Sequence, residues 1–321
     1  MKVSIIVPVY NAEKNLIERV GNLLNQTLSD IEIIFINDAS TDNTLAILES
    51  AKNQFPDRVR VLSLKENKGP GAARNAGLSV ATGDYIGFCD SDDIVDLTMY
   101  EKLYNKAMEN NADIVDCAFY RESQNKAFRH FTNDIVGEIS AKQKSIILQG
   151  GFCVTKIFKR SLIYNDKNEP TLFREEYGLE DMDYLMGLIA RAKIFQYVED
   201  ILYIYKDSDN SLSKEQDFFK YYRNHASAML GIYDTLSSLP NYSDFQDAAE
   251  ICMATMYINI KDALEKMHGK INDTVLQEME NGIESMKKQC IQKPISKNPY
   301  FTSGLSEHGR TLILKEEGNK Y

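Results

Sequence analysis

Three carboxylates in four residues, Asp90, Asp92 and Asp93 around Ser91, follow directly on the apolar run Tyr85-Ile86-Gly87-Phe88-Cys89. A strand that ends in acids gathers negative charge where a sheet opens to water. Like charges this close raise one another's pKa unless a cation lies between them. Hard oxygen ligands suit Mg²⁺ or Mn²⁺ better than zinc or copper. Such an ion commonly holds a diphosphate, so a nucleotide-linked substrate is expected. A second acidic group, Glu180, Asp181 and Asp183, crowds three carboxylates into four positions. That exceeds what a helix needs to complement its dipole, and one of them could serve as a general base.

Three other segments carry candidate ligand contacts. Pro8-Val9-Tyr10-Asn11 closes an apolar run, and Tyr10 offers a flat face for a nucleobase, although proline and asparagine also end strands routinely. Asp38 ends the next apolar run, inside Asn37-Asp38-Ala39-Ser40-Thr41-Asp42-Asn43-Thr44. Its small polar neighbours read as caps and turn formers. A carboxylate at a sheet mouth can accept the imino proton of a uracil ring. Lys68-Gly69-Pro70-Gly71-Ala72-Ala73-Arg74-Asn75 is small enough for close backbone approach to a ligand. It is not G-x-G-x-x-G, it follows the third strand instead of the first, and no G-K-[ST] follows, so dinucleotide and P-loop readings fail. Arg74 either pairs with phosphate, orients a carboxylate, or stands exposed on a helix packed against the sheet.

These residues need elements to position them. Nearly continuous apolar runs at 3–9, 31–36, 59–64 and 85–89 predict strands covered on both faces. Helical spacing at 13–26 and 41–55, the latter with Ser40 as N-cap, and the alanine-rich stretch 71–81 predict the helices between them. Alternating strands and helices mean βαβ units and a mainly parallel sheet, with ligands beyond the carboxyl ends of the strands. That rule places all four polar loops on one rim. Thr98-x-x-Glu101 and Ser140-x-x-Gln143 predict capping boxes, 113–119, 194–198 and 201–205 further strands, and 175–191 a helix. From about residue 216 the pattern is helical.

Composition excludes several classes. The net charge of −10, from 37 basic and 47 acidic residues, argues against a general nucleic-acid binder, though a basic patch against anionic lipid remains open. Five cysteines without C-x-x-C spacing read as apolar fillers in a reducing compartment, and four scattered histidines show no metal-ligand spacing. Met1-Lys2 runs into Val3 to Val7 and then Pro8, too short for a signal peptide, and no run approaches the ~20 apolar residues of a membrane span. A cytoplasmic protein is expected, or one lying on the inner face of the cell membrane.

Taken in order, Ser4-Ile5-Ile6-Val7-Pro8-Val9-Tyr10-Asn11, Ile36-Asn37-Asp38-Ala39-Ser40-Thr41-Asp42, Gly69-Pro70-Gly71-Ala72-Ala73-Arg74-Asn75, Asp90-Ser91-Asp92-Asp93 and Glu180-Asp181 resemble inverting glycosyltransferases of family 2, of the bacterial surface-polysaccharide type. The resemblance covers roughly residues 1–213. It implies a GT-A fold, an α/β Rossmann-like and mainly parallel sheet flanked by helices, in a domain 1–215 followed by a mainly helical region 216–321. By the same resemblance Pro8, Val9 and Tyr10 line the nucleobase pocket, Asp38 accepts a hydrogen bond from the base, and Arg74 helps hold the nucleotide. Asp90 contacts ribose or metal, Asp92 ligates the Mn²⁺ or Mg²⁺ that bridges the phosphates, and Asp181 deprotonates the acceptor hydroxyl. Asn37 stands where the family usually has an acid, and Met182 where an aromatic commonly follows the Glu-Asp pair.

Tyr203-Ile204-Tyr205-Lys206 with Ser211-x-Ser213 also resembles the segment that closes over the donor. Lys206 then either reaches the diphosphate or is a solvated loop lysine, and Lys156 receives no role. The implied activity is metal-dependent inverting transfer from a nucleotide sugar, foremost a UDP-sugar, to a hydroxyl of a glycan or lipid-linked acceptor. A nucleotidyltransferase would carry a glycine-rich basic loop after the first strand, which Pro8-Val9-Tyr10-Asn11 is not. A non-catalytic nucleotide-sugar-binding or scaffold subunit would not need every expected acid. The C-terminal apolar residues Met253, Met256, Tyr257, Ile258 and Ile260 either pack on the main domain or face a membrane surface, a partner protein or a second copy in a homodimer.

Overall fold

A computed structural model of the chain describes residues 1–131, 135–148, 151–175, 178–206 and 217–318. The elements begin β1 (Val3–Val9), α1 (Leu16–Leu24), β2 (Ile31–Asn37), α2 (Thr44–Gln54), β3 (Val59–Ser63), α3 (Gly69–Leu78), β4 (Tyr85–Phe88), β5 (Ile94–Val95) and α4 (Met99–Asn110). They continue β6 (Ile114–Arg121), β7 (Lys126–Phe128), β8 (Gly137–Glu138), α5 (Ala141–Ile147), β9 (Lys156–Lys159), α6 (Arg160–Ile163), α7 (Glu180–Arg191) and β10 (Ile194–Tyr205). Five helices complete the described chain: α8 (Phe218–Ser237), α9 (Gln246–Glu265), α10 (Asp273–Cys290), α11 (Phe301–Gly304) and α12 (Glu307–Glu316). Two compact units result. The first comprises Met1–Ile139, Gly151–Glu176 and Arg191–Ser211, and the second Ser140–Gly150, Tyr177–Ala190 and Leu212–Tyr321. The boundary expected at 215/216 falls outside the described residues.

Among the described residues the first unit is built on a ten-stranded sheet of order β3-β2-β1-β4-β9-β6-β10-β5, with β7 on β6 and β8 on β10. β2 is buried at every position and β1 at all but one, which is why the apolar runs showed no period of two. β1, β2, β3 and β4 run parallel, as do β6 and β10. The expected GT-A sheet is present, with one refinement: β9 enters antiparallel between β4 and β6. Two antiparallel steps restore direction, so β6 and β10 end on the same rim as β1 to β4. The chain moves outward from β1 to β3 and then returns to place β4 on β1's other side. That reversal leaves a crevice between β1 and β4 at their carboxyl ends.

Local hydrogen bonding shifts some boundaries. α2 begins at Thr44 because Ser40 to Asp42 are occupied with the first loop: the Asn11 amide donates to Ser40 Oγ at 3.0 Å, the Thr41 amide to Asn11 Oδ1 at 2.8 Å, and the Glu13 amide to Asp42 Oδ2 at 3.2 Å. The Ser140/Gln143 capping box forms. The one at Thr98 does not, because Thr98 Oγ1 donates to Asp96 and Glu101 accepts from Thr27. The strands expected at 194–198 and 201–205 are one, β10, with its register against β6 shifting between Val198 and Tyr203. All five cysteines are reduced and buried, as fillers should be.

The second unit is helical and centred on α9, against which α5, α8, α10, α11 and α12 pack. Met253, Met256, Tyr257, Ile258 and Ile260 are all buried in α9. These residues therefore form this unit's interior and offer no outward face. No helix among the described residues is long and apolar enough to cross a membrane.

Within the first unit α3 lies unusually close to the sheet. A Cβ on Gly77 would sit 2.5 Å from Ile6 Cγ2 and 3.0 Å from Ile36 Cδ1. Gly77→Ala should therefore lose about 1–3 kcal/mol of stability by overpacking, despite the ~1 kcal/mol by which helix propensity favours alanine. A urea midpoint equal to or above that of the parent would contradict this packing.

Candidate active site

The crevice between β1 and β4 collects four loops. Tyr10, just past β1, is 49% exposed, so its ring is available on the rim, whereas Val9 is buried and Pro8 is half-buried. Val9's carbonyl accepts from the Asp38 amide at 2.9 Å. Asp38 is only 3% exposed, and its carboxylate clamps the third loop: Oδ1 accepts from the Lys68 amide at 2.9 Å and Oδ2 from the Gly69 amide at 2.8 Å. Burial pushes its pKa up and the two amides pull it partly back. Gly69 takes φ +82°, a left-handed conformation glycine adopts without strain, and Pro70 follows it in the first turn of α3. Asn37, in place of an acid, is a turn former whose Oδ1 accepts from the Ser40 amide at 3.1 Å.

Arg74 is not the exposed arginine of the plainer alternative. It is 6% exposed, donates from Nη2 to Asp90 Oδ1 at 2.9 Å, and lies 5.4 Å from the centre of the Phe173 ring. The next residue, Asn75, anchors that ring's backbone by donating to the Phe173 carbonyl at 2.9 Å and accepting from its amide at 2.8 Å. Arg74 therefore orients a carboxylate.

The three acids after β4 differ in environment. Asp93 turns inward and is 3% exposed, accepting from the Tyr203 hydroxyl at 2.5 Å and the Lys206 amide at 2.7 Å. Burial first, then the like charges of Asp90 and Asp92, push its pKa up to about 8. Asp90 and Asp92 remain part-exposed at the rim. Arg19 of α1 holds the loop itself, Nε donating to the Asp92 carbonyl at 3.2 Å. Like-charge repulsion is thus relieved by sequestering one acid and presenting two. Among the described residues no three His, Cys, Asp or Glu side chains gather as a complete metal-ligand set. Two carboxylates supply hard oxygens on the rim, a number that suits an ion also held by substrate phosphates.

Sequence reading missed the inward turn of Asp93 and its partner Tyr203. The alternation Tyr203-Ile204-Tyr205 at a strand end was the available signal. Lys206 Nζ lies 2.5 Å from Glu122 Oε1, and so pairs with a carboxylate on β6's exit. Ser211 and Ser213 of the same segment lie outside the described residues. Asp181 belongs to the second unit, where it is half-buried in the first turn of α7 between Glu180 and Asp183, both more deeply buried.

Comparison with known proteins matches this chain to glycosyl transferase family 2 over residues 4–166. It is 28% identical over 262 residues to a poly(ribitol-phosphate) beta-glucosyltransferase of Bacillus spizizenii, covering 81% of this chain and 40% of that protein. It is 34% identical over 223 residues to the uncharacterized glycosyltransferase EpsJ of Bacillus subtilis, covering 66% of this chain and 63% of EpsJ. The match thus spans about two fifths to two thirds of these relatives' own length. In fold it resembles S. aureus TarS 1–349, solved in complex with UDP-GlcNAc, with a TM-score of 0.72 at 20% identity over 100% of this chain and 93% of that one. A mannosyltransferase of Pyrobaculum calidifontis, solved with GDP-Man and Mn²⁺, gives 0.58 at 15% identity over 97% and 86%.

Tyr203 is the interior support of the acidic loop. Tyr203→Phe keeps the ring and removes the hydroxyl that meets Asp93, which should cost about 1–3 kcal/mol through the unsatisfied buried carboxyl. Denaturant unfolding reads this loss, and an unchanged midpoint would show that the hydroxyl does not support the loop.

Proposed function

We propose a reaction for this chain, which belongs to glycosyltransferase family 2: transfer of a sugar, with inversion, from a nucleotide-sugar donor to a hydroxyl of a glycan or lipid-linked acceptor. The carrying observation is the pair of part-exposed carboxylates, Asp90 and Asp92, at the β1/β4 crevice with Arg74 locked on Asp90. A UDP-sugar is the foremost donor. The UDP-GlcNAc complex of S. aureus TarS, a protein of similar fold, supports that choice. The relative named for glucosyl transfer to poly(ribitol phosphate) supports a polymeric, hydroxyl-rich acceptor. We place this chemistry in residues 1–215, ahead of the mainly helical region 216–321, on the cytoplasmic side of the membrane.

In this reading Tyr10 stacks on the base, and Asp38, whose carboxylate has lone pairs beyond those the loop amides use, accepts from it. Asp90 and Asp92 would hold a divalent ion of the Mn²⁺ or Mg²⁺ class, which binds through one or two carboxylates plus substrate phosphates. When bound, that ion supplies positive charge against the leaving diphosphate. Asp181 takes the proton from the acceptor hydroxyl as its oxygen attacks the anomeric carbon. The bond from that carbon to the diphosphate breaks, and the electron pair leaves with the nucleotide. One displacement with one base inverts the centre.

Release of UDP from a panel of UDP-sugars, with Mn²⁺ and a crude lipid-linked acceptor, tests the reaction. Failure on every donor and acceptor would overturn it. Asp92→Ala should abolish the Mn²⁺-dependent part of UDP binding in calorimetry, as EDTA should in the parent, with the unfolding transition retained. Equal binding with and without the ion would remove the metal assignment. Asp181→Asn should keep donor affinity and lose ~10²-fold or more in turnover. Near-normal turnover would transfer the base role to Glu180 or Asp183.

A further inference from the structure

A second cluster in the first unit is not used by this chemistry. Lys156 at the start of β9 and Asp116 on β6 are both wholly buried, with Nζ 3.0 Å from Asp116 Oδ1. Thr155 Oγ1 donates to the same oxygen at 2.5 Å, and His130 Nδ1 lies 3.3 Å from the other. Burial pushes the Asp116 carboxyl up, but Lys156 and His130 hold it below its ordinary value. A buried ion pair returns little net stability once desolvation is counted. What this pair does geometrically is hold one backbone group: Lys156 Nζ also donates to the Phe152 carbonyl at 2.9 Å.

Phe152 is a large apolar residue left 37% exposed. Its ring packs edge-to-face with Phe119 at 5.4 Å and 79°, and with His130 at 5.4 Å and 73°. Alongside it Tyr205 lies nearly parallel, 6.5 Å away at 26°. Tyr205 stands two residues beyond Tyr203 and therefore on the same face of β10 as the hydroxyl that meets Asp93. The Arg121 guanidinium sits 4.9 Å from the Tyr205 ring centre. The aromatic pair is thus continuous with the acidic rim through one strand.

We propose that Phe152 and Tyr205 form a stacking platform for a sugar ring of the acceptor, with the buried Lys156–Asp116 pair positioning it. The proposal rests on the glycosyl-transfer reading. A pyranose has a face of C–H groups that fits the electron-rich face of an aromatic ring, and hydroxyls on its edge that suit Arg121 and His130 as polar neighbours. An acyclic polyol phosphate lacks that face and would not be held in this way.

The test uses the full chain and saturation-transfer NMR with methyl β-glucopyranoside and methyl α-glucopyranoside, with ribitol 5-phosphate as the acyclic control and UDP binding measured in parallel. The parent should transfer saturation to a methyl glucoside, and Phe152→Ala and Tyr205→Ala should lose it with UDP affinity unchanged. Phe152→Leu keeps the apolar bulk but lacks the flat face and should also lose it, whereas Phe152→Trp should retain it. With a working acceptor, the alanine variants should raise acceptor KM about ten-fold, the scale of one aromatic contact, with donor KM unchanged. No saturation of either glucoside in the parent, equal saturation in Phe152→Leu, or stronger saturation of ribitol phosphate would overturn the platform. Absence of sugar transfer by the parent alongside normal glucoside saturation would instead overturn the reaction and leave the platform standing.

Discussion

Negative charge delivered to the carboxyl end of β4 is the constraint that the surrounding structure answers. Three acids in four residues repel, and desolvating any of them adds to the cost. The fold treats them unequally. Asp93 is buried against Tyr203 and the Lys206 amide, and burial with its neighbours' like charges raises its pKa. Asp90 is paired with a buried arginine, and Asp92 stays on the rim while its carbonyl receives Arg19. What is presented outward is two carboxylates with controlled orientation.

Precision at such a rim depends on loops that do not wander. The first and second loops are stitched together by Asn11, Ser40, Thr41, Asp42 and Glu13. The third is clamped on Asp38 through two amides. Close approach at Gly77 packs α3, the helix that carries Arg74, against the sheet. The hydrogen-bonded ties each join a polar residue beyond one strand's end to a neighbouring strand's loop. The parallel arrangement makes this possible because all of these ends meet on one rim.

The helical unit answers a different demand. α9 contributes apolar residues around most of its circumference and needs helices on several sides to cover them. At its Tyr257 the hydroxyl meets Glu284 and Glu316, and Lys261 and Lys287 balance those acids. A polar group buried in a helical core is thus satisfied in full, as a stable interior requires. This accounts for the apolar stretch without invoking a membrane or a partner.

The sequence by itself determined the alternation of strands and helices, the rim on which Tyr10, Asp38, Arg74 and the Asp90 cluster gather, and the family. Those follow from local information: apolar runs, glycine and proline placement, and the order of short motifs. It also marked Asp181 as the acid to test in a helix's first turn. Tertiary structure alone decided which acid of Asp90, Asp92 and Asp93 would be buried, because that depends on a tyrosine about a hundred residues away arriving with its hydroxyl beneath the loop. It alone paired Arg74 with Asp90, reversed β9, and joined Lys156 to Asp116, since an ion pair has no signature at a fixed spacing in the chain. Periodicity records which face of an element is apolar. Which distant polar atom completes a buried charge is settled only when the elements pack.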